Sequence, residues 1–379
     1  MKFFQSGITI HLEGCAILSR AEAIRIQKIM KHVRSQHPWP SSEYIDSGYF
    51  TLPSPKGSAF PLGFISTSGC FWAKNGGCTM CDYGGASNEV PEEKLVAQID
   101  SFFELWNEEA GISLSALGCF FDDAELSPKV RSYLLNKAGS SKNLKNICVE
   151  TRAEDITRDK LISALRTLRG VGFEVGFGVE SSDEYIRNVC INKGLNLETL
   201  EKAVEMVHDV GGEVVLHVFL KPPFLTEREA IDDAVSTIEY CASLDVKRIV
   251  LMAANVKQST FSGWLFQKGE YKTPWLWSIL QVLQLVSVEA REITSVYGFK
   301  CGIPMLSISR NCSKCTDQIR ASLDDFCQKH ESKIIEEAFS VDCECKKEWI
   351  KNLETRPAKS LPQRVSDLCD LYEREFELL

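Results

Sequence analysis

A strand–helix rhythm repeated about six times constrains this chain more than any other feature. Short apolar runs occupy residues 60–67, 114–121, 146–151, 173–180, 213–221 and 248–255. Most are rich in Val, Ile and Phe, the composition of strands buried on both faces. Helix-like segments separate them: one after Pro91, one from about Ser127-Pro128, then residues 157–168, 196–210 and 226–244. Thr157 and Thr226 stand where N-caps belong, and Glu229 three positions beyond Thr226 completes a capping-box pattern. Gly170, Gly172, Gly211 and Gly212 fall where helices should stop before the next strand. The rhythm predicts a parallel α/β architecture, closed or partly closed. In such barrels chemistry collects at the C-terminal ends of the strands.

Residues 1–59 read as an N-terminal extension with a loop-like stretch over 38–55. Residues 60–299 read as the core, and 300–379 as a Cys-rich, charged, metal-binding and helical tail. No apolar run reaches membrane-spanning length, and the N-terminus lacks a basic head followed by an apolar core; a cytoplasmic protein is expected. The 15 cysteines are odd in number, so complete internal pairing is impossible, and close Cys spacings in such a chain read first as metal ligands. A net charge of −9 argues against gripping nucleic acid by bulk charge, which needs clustered Lys and Arg. A local basic groove or a basic partner subunit stays compatible with it.

Cys70, Cys78 and Cys81 have the spacing C-x7-C-x2-C directly after the first expected strand. A short loop with three thiolates can ligate three irons of a [4Fe–4S] cubane and leave the fourth iron open to a chelating ligand. Gly69, Gly76, Gly77, Gly84 and Gly85 let the backbone wrap tightly. The plainer alternative is a zinc knuckle, but structural zinc wants four closed ligands and no fourth is evident nearby.

The stretch GCFWAKNGGCTMCDY (69–83) resembles the cluster motif of the radical S-adenosylmethionine (SAM) superfamily, with a longer first gap than the commonest pattern. Longer gaps occur in the branch related to the catalytic subunit of Elongator. Within it, the chain is most similar to the radical SAM subunit family of archaeosine synthase. Segments similar to that family follow in order: GCFFDDAEL (118–126), VETRAEDI (149–156), VGFGVESSDEYIRNVCINKG (175–194), FLKPPFLTEREAIDD (219–233) and YKTPWLWS (271–278). NCSKC (311–315) and DCECKKEW (342–349) extend the similarity into the tail.

The resemblance implies a partial (β/α)6 TIM-like barrel. It also implies a cluster that binds SAM, whose one-electron reductive cleavage supplies a 5′-deoxyadenosyl radical for hydrogen abstraction. The substrate it implies is a tRNA 7-deazaguanine base carrying a lysine, cut at a C–N bond to leave archaeosine. An electron donor of flavodoxin or ferredoxin type and a tRNA-binding lysine transferase subunit are the implied partners. Two other readings stay open: a small-molecule or peptide substrate, and a non-catalytic metal-binding module.

Around the cofactor, Met80 is a candidate to pack against the adenine where relatives often carry an aromatic, or merely fills the loop. Asp122, Asp123 and Glu125 follow the second run and are candidates for the SAM ammonium or for a helix cap. Glu150 and Arg152 end the third run, and Glu180, then Ser181 and Ser182, end the fourth. A carboxylate there suits ribose hydroxyls, and Arg152 suits a carboxylate or a structural pair. Lys221 ends the fifth run as a candidate for SAM or substrate. His217 alternates along that run, as a structural residue more than a catalytic one. Asn192, Lys193, Asn255 and Gln258 are candidate substrate contacts. Trp275, with Tyr271 and Trp277, offers stacking faces or core. In the tail, Cys312 and Cys315 pair with Cys343 and Cys345 as a four-cysteine zinc site, with an auxiliary Fe–S cluster as the rival and Cys327 or Cys301 as substitutes.

Overall fold

The computed structural model describes residues 12–36, 62–83, 90–106, 111–116, 118–300 and 305–378. The expected loop over 38–55, and Gly84, Gly85 and Cys301, lie outside the described residues. Seven strands form one sheet: β1 (Leu62–Phe64), β2 (Gly111–Ser115), β3 (Asn146–Thr151), β4 (Gly172–Glu180), β5 (Glu213–Leu220), β6 (Arg248–Ala253) and β7 (Thr294–Tyr297). They stand in chain order and every neighbouring pair is parallel. Among the described residues β1 does not pair with β7, so the sheet curls into an open half-barrel.

The helices of nine or more residues are α1 (Leu12–Gln36), α2 (Glu92–Leu105), α3 (Pro128–Ser140), α4 (Arg158–Leu168), α5 (Leu197–Asp209), α6 (Glu227–Ala242), α7 (Leu276–Leu285), α8 (Thr316–Lys329), α9 (Ser332–Ser340), α10 (Glu344–Glu354) and α11 (Leu361–Glu375). Their starts follow the expected chemistry. Thr157 accepts from Lys160 N at 3.3 Å, and Ser127 caps α3 ahead of Pro128. The Thr226–Glu229 capping box is complete, with Thr226 N donating to Glu229 at 2.8 Å.

Two expectations need correction. The second strand ends at Ser115, and Gly118–Phe121 turns back over the barrel end instead of extending it. Phe120 and Phe121 are fully buried there, so the apolar run marks burial and not strand. The seventh strand was not expected. It is four residues long, and its Thr294 and Ser295 break the apolar pattern that reveals the others.

β4 sets up the interior. Phe173, Val175, Phe177 and Val179 are buried on its outer face, each contributing roughly 1.5–3 kcal/mol. The alternate positions Gly176, Gly178 and Glu180 face the hollow of the half-barrel. The two ends of the described chain meet over the core: Arg25 of α1 pairs with Asp370 and Glu373 of α11, and His32 Nδ1 lies 2.8 Å from the Tyr372 hydroxyl. Arg364 ties α11 to Glu229 at 2.6 Å.

Candidate active site

A cavity of about 350 Å3 occupies the half-barrel, with Cys70, Cys78, Cys81 and Met80 at one end. That end is where the strands terminate, since Cys70 follows β1 and Glu150, Arg152 and Glu180 close β3 and β4. The cysteine loop is latched on several sides. Cys70 N donates to Tyr83 O at 3.2 Å and closes the loop on itself. Thr79 N donates to Ile191 O at 2.9 Å, and Asn192 Nδ2 donates to Gly77 O at 2.7 Å. Trp72 Nε1 returns a bond to Asn192 O at 2.6 Å. Arg34 of α1 donates to Cys81 O at 2.6 Å. Gly76 and Gly77 sit at φ of 116° and 76°, and a Cβ on Gly76 would press to 2.9 Å from the Gln27 carbonyl of α1. Only glycine fits both the conformation and the approach.

The thiols occupy an electrostatically prepared rim. A hydrogen bond with the buried Cys119 pulls Cys70 down to about 6, against the effect of burial. Burial pushes Cys78 up to about 12 and also raises Cys81. Opposing that burial, Lys193 and Arg152 favour the Cys78 thiolate, and Lys257 and Arg34 favour that of Cys81. Glu125 lies beneath the loop. Its carboxylate accepts from Cys119 N at 3.1 Å and Thr67 Oγ1 at 3.3 Å, and burial raises it to about 8. The Cys70 sulfur groups with the Cys119 sulfur and a Glu125 carboxylate oxygen, all within 4.8 Å of one another.

Above β4, Lys193 pairs with Glu180 at 2.8 Å, both mostly buried. Arg152 donates to Lys193 O at 3.0 Å and lies over Trp72, 5.3 Å from the ring centroid. A Cβ on Gly178 would collide with the Glu180–Lys193 pair, so the glycine keeps this cradle open.

Met80, Glu150, Arg152, Glu180, Lys193, Asn255 and His217 therefore line the cavity. Other candidates are placed elsewhere. Asp122 accepts from Ala124 N at 2.9 Å as a turn cap, and Asp123 pairs with Arg131 at 2.8 Å. Ser181 is fully buried, donating to Asp233 at 2.5 Å. Lys221 forms a buried ion pair with Glu227, whose other oxygen accepts from Trp275 N at 2.9 Å. Asn192 latches the loop from behind, and Gln258 is exposed. Trp275 lies outside the cavity lining, while Tyr271 and Trp277 are buried. Apart from Gln258, each carries a structural bond because its partner is close in the fold. Sequence reasoning missed Arg34, Trp72, Tyr83, Cys119 and Lys257. Trp72 and Tyr83 lie inside the cysteine motif and were legible there; Arg34 precedes it by a long segment and carried no signal.

The tail holds a second thiol group. Cys312 Sγ lies 3.8 Å from Cys315 and 3.4 Å from Cys343, while Cys345 lies 3.5 Å from both Cys315 and Cys343. Cys315 and Cys343 stand at the N-cap positions of α8 and α10. Trp277 Nε1 donates to Cys345 Sγ at 3.3 Å, bolting the site to α7. Cys327 is engaged elsewhere, accepting from Val296 N at 3.3 Å, so it does not substitute.

The family model described as the radical SAM superfamily matches residues 64–237. An archaeosine synthase subunit beta from Methanosarcina acetivorans is 31% identical over 294 residues, covering 76% of this chain and 84% of that protein. An uncharacterized protein of Methanocaldococcus jannaschii is 31% identical over 79% of this chain and 83% of its own length. Among solved structures, the archaeal Methanocaldococcus infernus Elp3 with an N-terminal deletion is 17% identical, with TM-score 0.43, across 64% of this chain and 59% of that one. With a thiol triad at the C-terminal rim of a parallel half-barrel and relatives of this extent, the chain belongs to the radical SAM superfamily, alongside the archaeosine synthase beta subunits.

Proposed function

We propose that this enzyme acts in archaeosine-type tRNA modification, cutting a C–N bond of a lysine-bearing 7-deazaguanine. The observation that carries the reading is the relative named archaeosine synthase subunit beta, matched over 84% of its length. An RNA-binding lysine transferase subunit would reconcile the tRNA substrate with a chain of net charge −9, and a flavodoxin- or ferredoxin-type donor would supply the electron.

Cys70, Cys78 and Cys81 would hold the [4Fe–4S] cluster, which with SAM supplies reductive C–S cleavage and a carbon radical that abstracts hydrogen. Met80, Glu150, Arg152, Glu180 and Lys193 would receive SAM. The buried Glu180–Lys193 pair and Arg152 offer both charge signs to a methionyl zwitterion, in a cradle that Gly178 keeps open.

The experiment uses anaerobically reconstituted enzyme, SAM, dithionite and tRNA carrying the lysine adduct, with nucleosides analysed by mass spectrometry. Archaeosine should appear together with 5′-deoxyadenosine. If 5′-deoxyadenosine accumulates while the adduct stays intact, the tRNA reading is lost to a small-molecule or peptide substrate.

Asn192→Ala tests the latch. It leaves the Gly77 carbonyl without its partner, a cost of roughly 1–3 kcal/mol for a buried acceptor. The expected result is a faster loss of iron from the reconstituted protein on gel filtration, with little change in far-UV circular dichroism. Iron retention equal to the parent's removes Asn192 from the loop's support.

For the tail, the proposed ion is zinc. Four thiolates at 2.3 Å from one zinc stand about 3.8 Å apart, and the observed separations run from 3.4 to 3.8 Å. The thiolates of a cubane bind four different irons and stand farther apart.

A further inference from the structure

Barrel interiors are normally filled by layers of bulky branched side chains. Here Ser113 on β2, Cys148 on β3, Gly176 and Gly178 on β4 and Ser295 on β7 are small and line the cavity. The hollow therefore continues past the thiol rim towards the N-terminal ends of the strands. At that far end stands Arg248, the first residue of β6. From Arg248 to Ala253 the strand rises about 16 Å, while an extended lysine arm with its carboxylate reaches only about 9 Å, so the base must enter the hollow for the head group to reach the floor.

Arg248 is held by Glu174 at 2.9 Å, and the Glu174 side chain is only 4% exposed. On the proposed function the methionyl head of SAM would sit at the thiol end, so this cation at the opposite end would face a different ligand. A guanidinium presents donors along more than one edge and can hold two carboxylates at once. The neighbouring Glu174 carboxylate disfavours a phosphate dianion. It suits an ammonium standing beside a carboxylate.

We propose that Arg248 and Glu174 form the floor of a subsite for the α-amino-acid head group of the substrate, with Arg248 taking the α-carboxylate. The assignment rests on the reading of the substrate as a lysine adduct. The base enters the hollow at the level of Gly178, the arm runs down past Gly176, and the zwitterionic end reaches the floor. Arg248 is thus a specificity residue and not part of the radical chemistry.

The test compares tRNA carrying the lysine adduct with tRNA carrying the pentane-1,5-diamine adduct, which keeps the arm and lacks the carboxylate. The parent holoenzyme should prefer the lysine adduct by about 50-fold in kcat/KM, the scale expected when a buried charged partner is left unmatched. Arg248→Met should bring the ratio to within about threefold, and Arg248→Lys should leave an intermediate ratio. No preference in the parent, or a preference untouched by Arg248→Met, overturns the subsite while leaving the tRNA function standing. If neither adduct reacts, the functional reading fails, and a binding arm still decides the subsite. There, equilibrium dialysis compares Nε-acetyl-L-lysine with N-acetyl-pentane-1,5-diamine on the parent holoenzyme with SAM. Tighter binding of the carboxylate-bearing probe, lost in Arg248→Met, supports the subsite; equal or absent binding of the two probes overturns it.

Discussion

Cys81→Ala is expected to abolish formation of 5′-deoxyadenosine from SAM, by at least about 10^4-fold, or more than ~5 kcal/mol in transition-state stabilisation. Cys81 is the third thiol of the triad, and its sulfur is fixed by a bond from Tyr83 N at 3.3 Å while its carbonyl is fixed by Arg34. On the proposed assignment, removing the sulfur would take away one iron's protein ligand but leave the backbone latch in place. The variant should therefore keep its circular dichroism and its tail metal. It should lose the iron and sulfide of the reconstituted parent and the electron paramagnetic resonance signal of the reduced cluster. SAM cleavage at the parent's rate in a correctly folded Cys81→Ala would sink the assignment of the triad. The contrast matters because a merely structural zinc loop would lose stability without any link to SAM.

Cys345→Ala should produce the largest loss of stability. The sulfur is within 3.5 Å of two other thiols and accepts from the buried Trp277 indole. Structural zinc contributes folding free energy outright, and loss of one of four ligands should cost at least about 3 kcal/mol. The buried Trp277 N–H also loses its acceptor. We expect elemental analysis to find one zinc per parent chain and well below one in the variant. The thermal midpoint should fall by several degrees, and proteolytic cleavage after residue 300 should speed up. Iron in place of zinc in the parent, in excess of what the triad holds, would assign the tail to an auxiliary cluster instead.

Much of the half-barrel was legible from local chemistry. The Thr226–Glu229 box is written in four consecutive residues and needs no distant partner. β4 is legible because Phe, Val, Phe and Val alternate with Glu, Gly, Gly and Glu, which can only mean one packed face and one open face. Charges at strand ends were harder. Lys221 and Glu180 both end strands as charged residues with positive φ, of 70° and 66°. Glu180 meets Lys193 at the cavity, whereas Lys221 turns into a buried pair with Glu227, and the Tyr271 hydroxyl donates to its carbonyl at 2.6 Å. Nothing in the two local sequences separates these fates, because the difference lies in which neighbour the next segment brings back. The same holds for Asp122 and Asp123, which serve a turn and the Arg131 pair.

Ligand sets that sit within a few residues of one another are a property of the chain. The spacing of the triad and of each tail pair was therefore readable before any fold was known, whereas the meeting of Cys312 with Cys343 and of Cys315 with Cys345 is made by the fold. Orientation and depth are properties of packing. Arg34 reaches Cys81 only because α1 lies against the cysteine loop, and Arg248 faces the hollow only because small residues from four other strands leave it unfilled. Those contacts join residues far apart in the chain. Their side chains acquire partners only when the sheet curls and the helices close over it.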